Sequence, residues 1–307
     1  MFDVYPLFNA EFPWFFRLFF FFTGACVGSF LNVCIYRIPK GESVVFPGSH
    51  SADGRLLSWW ENVPIFSWIF LRGRDRVTGQ PFSVRYLLVE CLMALSFLIL
   101  WMHLNPVPAV CGMFFLSILA VAAFIDLDHF YLPDALTVGG ALAGLMLSFL
   151  LPELQLRPES LGMGASGLQS ALFSLTGMLI GAGLALWISE VGQVFFHRPA
   201  MGLGDAKLLG CVGAFCGWEG AAFALFGGAV LGSVLLFPYL LLKQMGAGRH
   251  CKGSNGDQEA GAVCGGNLLF VELPFGPLIA IAAAIYYAGA SSWVDGYWAM
   301  FQELIFG

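Results

Sequence analysis

Charge is what this sequence has little of. Asp, Glu, Lys and Arg make up 11% of its 307 residues, against 58% for the hydrophobic types. A water-soluble domain of this length carries roughly a quarter charged residues, so a soluble globular class is excluded. Only 14 residues are Lys or Arg, and they form no long basic run, which excludes a nucleic-acid partner. No CxxC pair occurs, and the 8 Cys are scattered. Cys26, Cys34, Cys91, Cys111, Cys211 and Cys216 fall in apolar stretches, where Cys acts as a small hydrophobe. A disulfide framework is therefore not expected. The N-terminal stretch "MFDVYPLFNAEFPWFFRLFF" has acidic residues and lacks the basic flank of a cleaved signal.

What is abundant is apolar length. A membrane helix needs about 20 mostly apolar residues, and the pattern predicts an all-α, polytopic membrane protein with about eight transmembrane helices. The candidates are 14–36, 86–104, 108–125, 134–151, 169–192, 205–219, 221–243 and 273–290. The sixth is short and glycine-rich, and a "GWEG" turn joins it to the seventh. All of the Lys and Arg except Arg17 and Arg157 fall on one side if the N-terminus lies outside. Cytoplasmic loops carry such an excess, which places loops 37–85, 126–133, 193–205 and 244–272 inside. The expected organisation is a first helix (1–36), a small cytoplasmic domain between helices 1 and 2 (37–85), and a membrane domain (86–307) containing a polar, flexible loop at 244–268.

An ionised carboxylate in hydrocarbon is costly and is kept for use. Glu153, Glu159, Glu219, Asp295 and Glu303 sit in loops or at ends and read as solvated charge. Others gather at one depth. Helix 3 ends in "AFIDLDHFYLPDALT", which brings Asp126, Asp128 and Asp134 to the inner edge, and helix 6 starts at that edge with Asp205. Carboxylates from two helices can meet there. Two carboxylates sharing a proton are the working parts of an aspartic protease. Gly202 and Gly204 clear side chains from around Asp205, so a substrate backbone can approach. The plainer reading makes Asp205 a helix N-cap and Asp134 a helix-start residue. Asp126 and Asp128 face nearly opposite sides of a helix, so one at most meets a given partner. Lys207 reads as a lysine reaching lipid headgroups. Glu90, about a turn inside helix 2, either pairs with Arg85 or lines the site.

At these residues the chain resembles the type IV prepilin peptidases, a GxGD aspartic protease family of bifunctional leader peptidase/N-methyltransferases. "GLGDAKLLG" resembles the GxGD motif, and "FIDLDHFYLPDALT" resembles the first aspartate motif. "GSFLNVCIYRIP", "WWENVPIFSW", "RYLLVE" and "LPFGPLIAIA" match in order. The resemblance implies a bacterial inner-membrane enzyme with a cytoplasmic active site. Such an enzyme cleaves the basic leader of prepilins and pseudopilins after a Gly and methylates the new amine with S-adenosylmethionine. It implies Asp126 and Asp205 as the catalytic pair; Gly202 and Gly204 as substrate-approach glycines and Glu90 as a supporting residue rest on the reading of the residues themselves. It associates loop 37–85 with methylation. Many members carry two CxxC pairs suited to zinc in this loop; here no Cys is present and about His50, Asp53, Asp75 and Thr78 stand in those places, so no metal is expected. A transporter using intramembrane carboxylates is the alternative, a non-catalytic scaffold a third reading and a presenilin-like peptidase a fourth.

Overall fold

The computed structural model describes residues 12–46, 63–74, 83–155, 163–197, 200–250 and 274–291, with positions 48, 76, 77, 79, 293, 296 and 300; at 13, 163, 164, 196 and 236–250 it describes the backbone alone. The elements are helical: α1 (Pro13–Arg37), α2 (Phe66–Phe70), α3 (Val84–His103), α4 (Pro106–His129), α5 (Asp134–Leu150), α6 (Met163–Phe196), α7 (Leu203–His250) and α8 (Gly276–Ile285). Proline at the first turn of α1, α4 and α8 suits a position whose N–H needs no intrahelical acceptor. Ser83 caps α3, its hydroxyl accepting the Arg85 N–H.

Five helical stretches are long and apolar enough to cross a bilayer: Trp14–Lys40, Val84–His103, Pro106–His129, Ala165–Phe195 and Leu203–Leu235. Two more apolar helices, Asp134–Leu150 and Gly276–Ala290, are shorter. By length and composition a count of eight crossings is therefore not confirmed among the described residues. The expected sixth and seventh helices run together within α7, with a break at Gly217 (φ 70°, ψ −179°). That break is a reversal. A Cβ added at Gly181 would lie 2.5 Å from the Leu209 carbonyl oxygen and 2.9 Å from the Ala221 Cβ. In a straight helix those two residues would stand about 18 Å apart. The two arms of α7 thus lie side by side against α6, at the "GWEG" turn that the sequence marks. Helical backbone also continues to His250, so residues 244–250 of the expected loop are helical; residues 251–268 lie outside the described residues.

Small residues let these helices touch through their backbones, which is how helices pack when lipid supplies no hydrophobic drive. Gly24 and Gly28 of α1 form a GxxxG step against α3, where a Cβ at Gly28 would meet the Glu90 Cα at 2.8 Å. The core lies between α4, α7 and α8. Phe115, Ile125, Leu208, Leu209, Val212, Phe215 and Ile279 are fully buried there, and Phe115 stacks on Phe215 with centroids 4.6 Å apart. Phe15, Phe19, Phe22, Leu95, Phe149 and Leu172 face outward, as expected where the solvent is hydrocarbon. The described cysteines are all free thiols.

Candidate active site

The last turn of α4 carries Asp126, and α4 runs on to His129 before Phe130 turns the chain in the left-handed region (φ 51°). Leu132 and Pro133 then lead into α5, which starts at Asp134 as expected of a helix-start residue. Asp205 stands in the first turn of α7, and its Oδ2 accepts the Gly202 N–H at 3.3 Å. That bond is half of a capping box, so the plainer N-terminal role is present alongside any chemical one. The two segments meet. Asp126, Asp134 and Asp205 line one cleft of about 410 Å³ together with Gly202, Gly204 and Lys207. Asp126 and Asp205 are close enough for their charges to act on each other.

Asp126 is only 6% exposed, and its Oδ2 accepts the N–H of Gly276 at 3.1 Å. Gly276 opens α8, so the positive end of that helix addresses the carboxylate. The sequence gives no sign of this partner, although "LPFGPLIAIA" contains it. Although Asp126 lies at the C-terminal end of α4 and Asp205 at the N-terminal end of α7, each carboxylate accepts a backbone N–H near a helix N-terminus, so helix dipoles do not set the two apart.

Asp128 points the other way, as the helical spacing requires. Arg85 Nη1 donates to both of its oxygens at 2.6 and 2.8 Å, and Nη2 donates to the Phe124 carbonyl at 3.2 Å. Arg85 therefore serves Asp128, and Glu90 is held elsewhere: its Oε2 accepts the Ile65 N–H at 2.7 Å, and Glu90 is absent from the lining of the cleft. Lys207 does not reach toward lipid headgroups. Its Nζ pairs with Asp134 Oδ1 at 2.5 Å across the cleft mouth. Of the two glycines, a Cβ at Gly202 would make only ordinary contact, 3.6 Å from Asp205 Oδ2, whereas a Cβ at Gly204 would press on Leu132 at 3.2 Å; Gly204 thus also serves the packing of α7 on the α4–α5 turn.

Among the described residues no group of three His, Cys, Asp or Glu is placed to hold a metal ion. His50, Asp53, Asp75 and Thr78 lie outside the described residues. The carboxylates gather at the charged end of the bundle, and nothing described supports the transporter alternative, which calls for a mid-membrane site in repeated halves.

Comparison with known proteins gives the same direction. Residues 22–104 match the bacterial peptidase A24 N-terminal domain, and residues 113–237 match the type IV leader peptidase family. A prepilin leader peptidase/N-methyltransferase of Myxococcus xanthus is 39% identical over 72% of this chain and 63% of its own length. One from Klebsiella pneumoniae is 33% identical over 70% of this chain and 91% of its own. One from Xanthomonas campestris is 30% identical over 89% of this chain and 91% of its own. No solved structure matches the chain. Two adjoining domain matches in the family's order, with Asp126 and Asp205 both inside the second, establish that the chain belongs to the type IV leader peptidase family of prepilin leader peptidase/N-methyltransferases.

Proposed function

We propose that this protein cleaves the leader peptide of type IV prepilins and pseudopilins at the cytoplasmic face of the bacterial inner membrane and methylates the amine it exposes. The observation that carries this reading is the convergence of Asp126 and Asp205, from separate helices, on one cleft at the charged end of the bundle. One carboxylate, ionised, takes a proton from a water as its oxygen adds to the scissile carbonyl carbon. The other, protonated, donates to the carbonyl oxygen, giving a neutral tetrahedral diol. That species collapses as the C–N bond breaks, one carboxylic acid protonating the departing amine and the other carboxylate recovering the hydroxyl proton. The Gly276 N–H fixes the orientation of Asp126, and the space over Gly202 admits an extended substrate backbone.

S-adenosylmethionine is the methyl donor in this reading, and loop 37–85 is the part associated with methylation. The described residues of that loop do not by themselves fit such a molecule. Their buried polar atom without a partner is the Trp68 indole N–H, a single donor, whereas the ammonium and ribose hydroxyls of the nucleoside call for acceptors. The test is to incubate the purified protein in detergent with a prepilin and S-adenosylmethionine and to weigh the products. Loss of the leader followed by the mass of one methyl group is the expected result. An intact prepilin under conditions where a known relative cleaves it would overturn the reading.

A further inference from the structure

The segment Val63–Arg74 sits where a cytoplasmic loop is not expected to sit. Its level is fixed by two contacts. The N–H of Ile65 donates to Glu90 Oε2 at 2.7 Å, and the Phe66 ring stacks on Phe22 of α1 with centroids 6.2 Å apart. Arg85 and Asp128 mark the charged layer at this end of the bundle. Asn32 lies at the same level, since its side chain donates to the Tyr86 carbonyl. From Arg85 to Glu90 the helix descends about 7 Å, and from Asn32 to Phe22 about 15 Å. The segment therefore reaches well below the charged layer, alongside helices that cross the bilayer.

Its surface matches that depth. Phe66 is 45% exposed, Ile69 58% and Phe70 80%. They continue the outward apolar face of α1 formed by Phe19, Phe22 and Phe30. Arg72 and Arg74, both exposed, follow in the sequence.

The backbone matches it too. Hydrocarbon tolerates only backbone whose polar groups are satisfied within the protein. Pro64 has no N–H to satisfy. The N–H groups of Phe66, Ser67, Ile69, Leu71, Arg72 and Gly73 all donate to carbonyls of residues 63–69, at 2.6 to 3.2 Å. Ile65, at the entrance, is held at φ 65°, a strained value for a β-branched residue, and its N–H turns to Glu90. The Glu90 carboxylate supplies the acceptor that the segment itself does not. This gives a use to a buried carboxylate that the cleavage chemistry leaves idle.

The geometry points to a re-entrant membrane segment: residues 63–74 dip into the lipid, with Phe66, Ile69 and Phe70 in contact with acyl chains and Glu90 pinning the entrance. Its partner is the bilayer.

Photocrosslinking in native membranes tests this on the full chain. p-Benzoylphenylalanine is placed singly at Ile69 or Phe70, at Phe19 of α1 as a lipid-facing reference, and at Phe46, which is 77% exposed beyond the charged layer. Mass spectrometry then counts acyl-chain adducts. Positions 69 and 70 are expected to match Phe19 within about twofold and to exceed Phe46 roughly tenfold, because only lipid-facing positions meet acyl chains. A yield at 69 and 70 no higher than at Phe46 would place the segment in water and overturn the proposal. Crosslinks there to a second copy or to another protein in place of lipid would overturn it equally. Glu90→Ala in the Phe70-labelled chain is expected to lower the lipid adducts several-fold while those at Phe19 persist; unchanged adducts would remove Glu90 from the proposal.

Discussion

The N–H of Gly276 donates to Oδ2 of Asp126 at 3.1 Å, in buried surroundings. The two residues are 150 positions apart in sequence. The bond ties the family's first aspartate motif to the entry of α8, so a helix that does not itself line the cleft holds one of the two carboxylates. A side chain at 276 is not accommodated, because its Cβ would lie 2.6 Å from the same oxygen.

Gly276→Ala is therefore expected to displace the Asp126 carboxylate with little change elsewhere. A misplacement of about 1 Å costs on the order of a hundredfold in rate. The check is kcat for leader cleavage in detergent, beside a thermal unfolding curve. A variant that unfolds near the wild-type temperature yet cleaves slowly fits; one that cleaves at the wild-type rate separates Gly276 from the chemistry.

The carboxylates themselves are expected to divide cleanly. Asp126→Asn and Asp205→Asn each stop cleavage, since an amide neither takes the water's proton nor shares one. Both are expected to methylate a pre-cleaved substrate, because loop 37–85 is distant in sequence from either aspartate. Asp128→Asn and Asp134→Asn serve as controls. Their ion pairs with Arg85 and Lys207 are substantially exposed, and such pairs contribute about 0–1 kcal/mol. Both are expected to cleave within a few-fold of wild type. Near-normal cleavage by either Asp126→Asn or Asp205→Asn would end the assignment.

How far the sequence led, and where it stopped, follows from the range of each contact. Apolar length and the pattern around Asp126 and Asp205 are local signals, and they brought both aspartates to one cleft. The "GWEG" reversal at Gly217 was legible for the same reason. The partners of the charged side chains were not. Lys207 finds Asp134, Arg85 finds Asp128 and Glu90 finds the Ile65 N–H. Each of these joins two elements whose relative placement is set by helix packing, which residue spacing does not encode. The count of crossings stays unconfirmed, since two helices are short for a bilayer and two run into one another at a turn.

Orientation is testable apart from chemistry. From the bias of Lys and Arg, loops 37–85, 126–133, 193–205 and 244–272 are expected in the cytoplasm. Single cysteines introduced there outside residues 63–74, in a background without the native eight, are expected to resist impermeant thiol reagents in intact cells and to label after lysis. Ready labelling of loop 37–85 in intact cells would invert the topology.

Metal content is a simple measurement. Loop 37–85 has no thiol, so the purified protein is expected to carry no stoichiometric zinc and to keep its activity in strong chelators. Elemental analysis giving about one zinc per chain would turn attention to His50, Asp53 and Asp75.

The reversal of α7 rests on one backbone conformation, and a pair of substitutions isolates it. A Cβ at Gly217 would meet nothing within 4 Å, and the same holds at Gly183 in the middle of α6. Sterically the two sites are equal. They differ in backbone: Gly217 has φ 70° and ψ −179°, a region essentially closed to residues with a Cβ, whereas Gly183 lies in regular helix. Gly217→Ala is thus expected to destabilise by about 1–3 kcal/mol through strain alone. Gly183→Ala is expected to be neutral or to stabilise by up to about 1 kcal/mol, since alanine loses less backbone freedom in a helix. Asparagine at 217 does not relieve the cost, because its tolerance is for the left-handed helical region, where ψ is near +47°. Unfolding in mixed micelles, followed by tertiary fluorescence, measures the three variants side by side. Equal stabilities for Gly217→Ala and Gly183→Ala would mean that the chain does not turn back at Gly217, and that α7 continues as one helix.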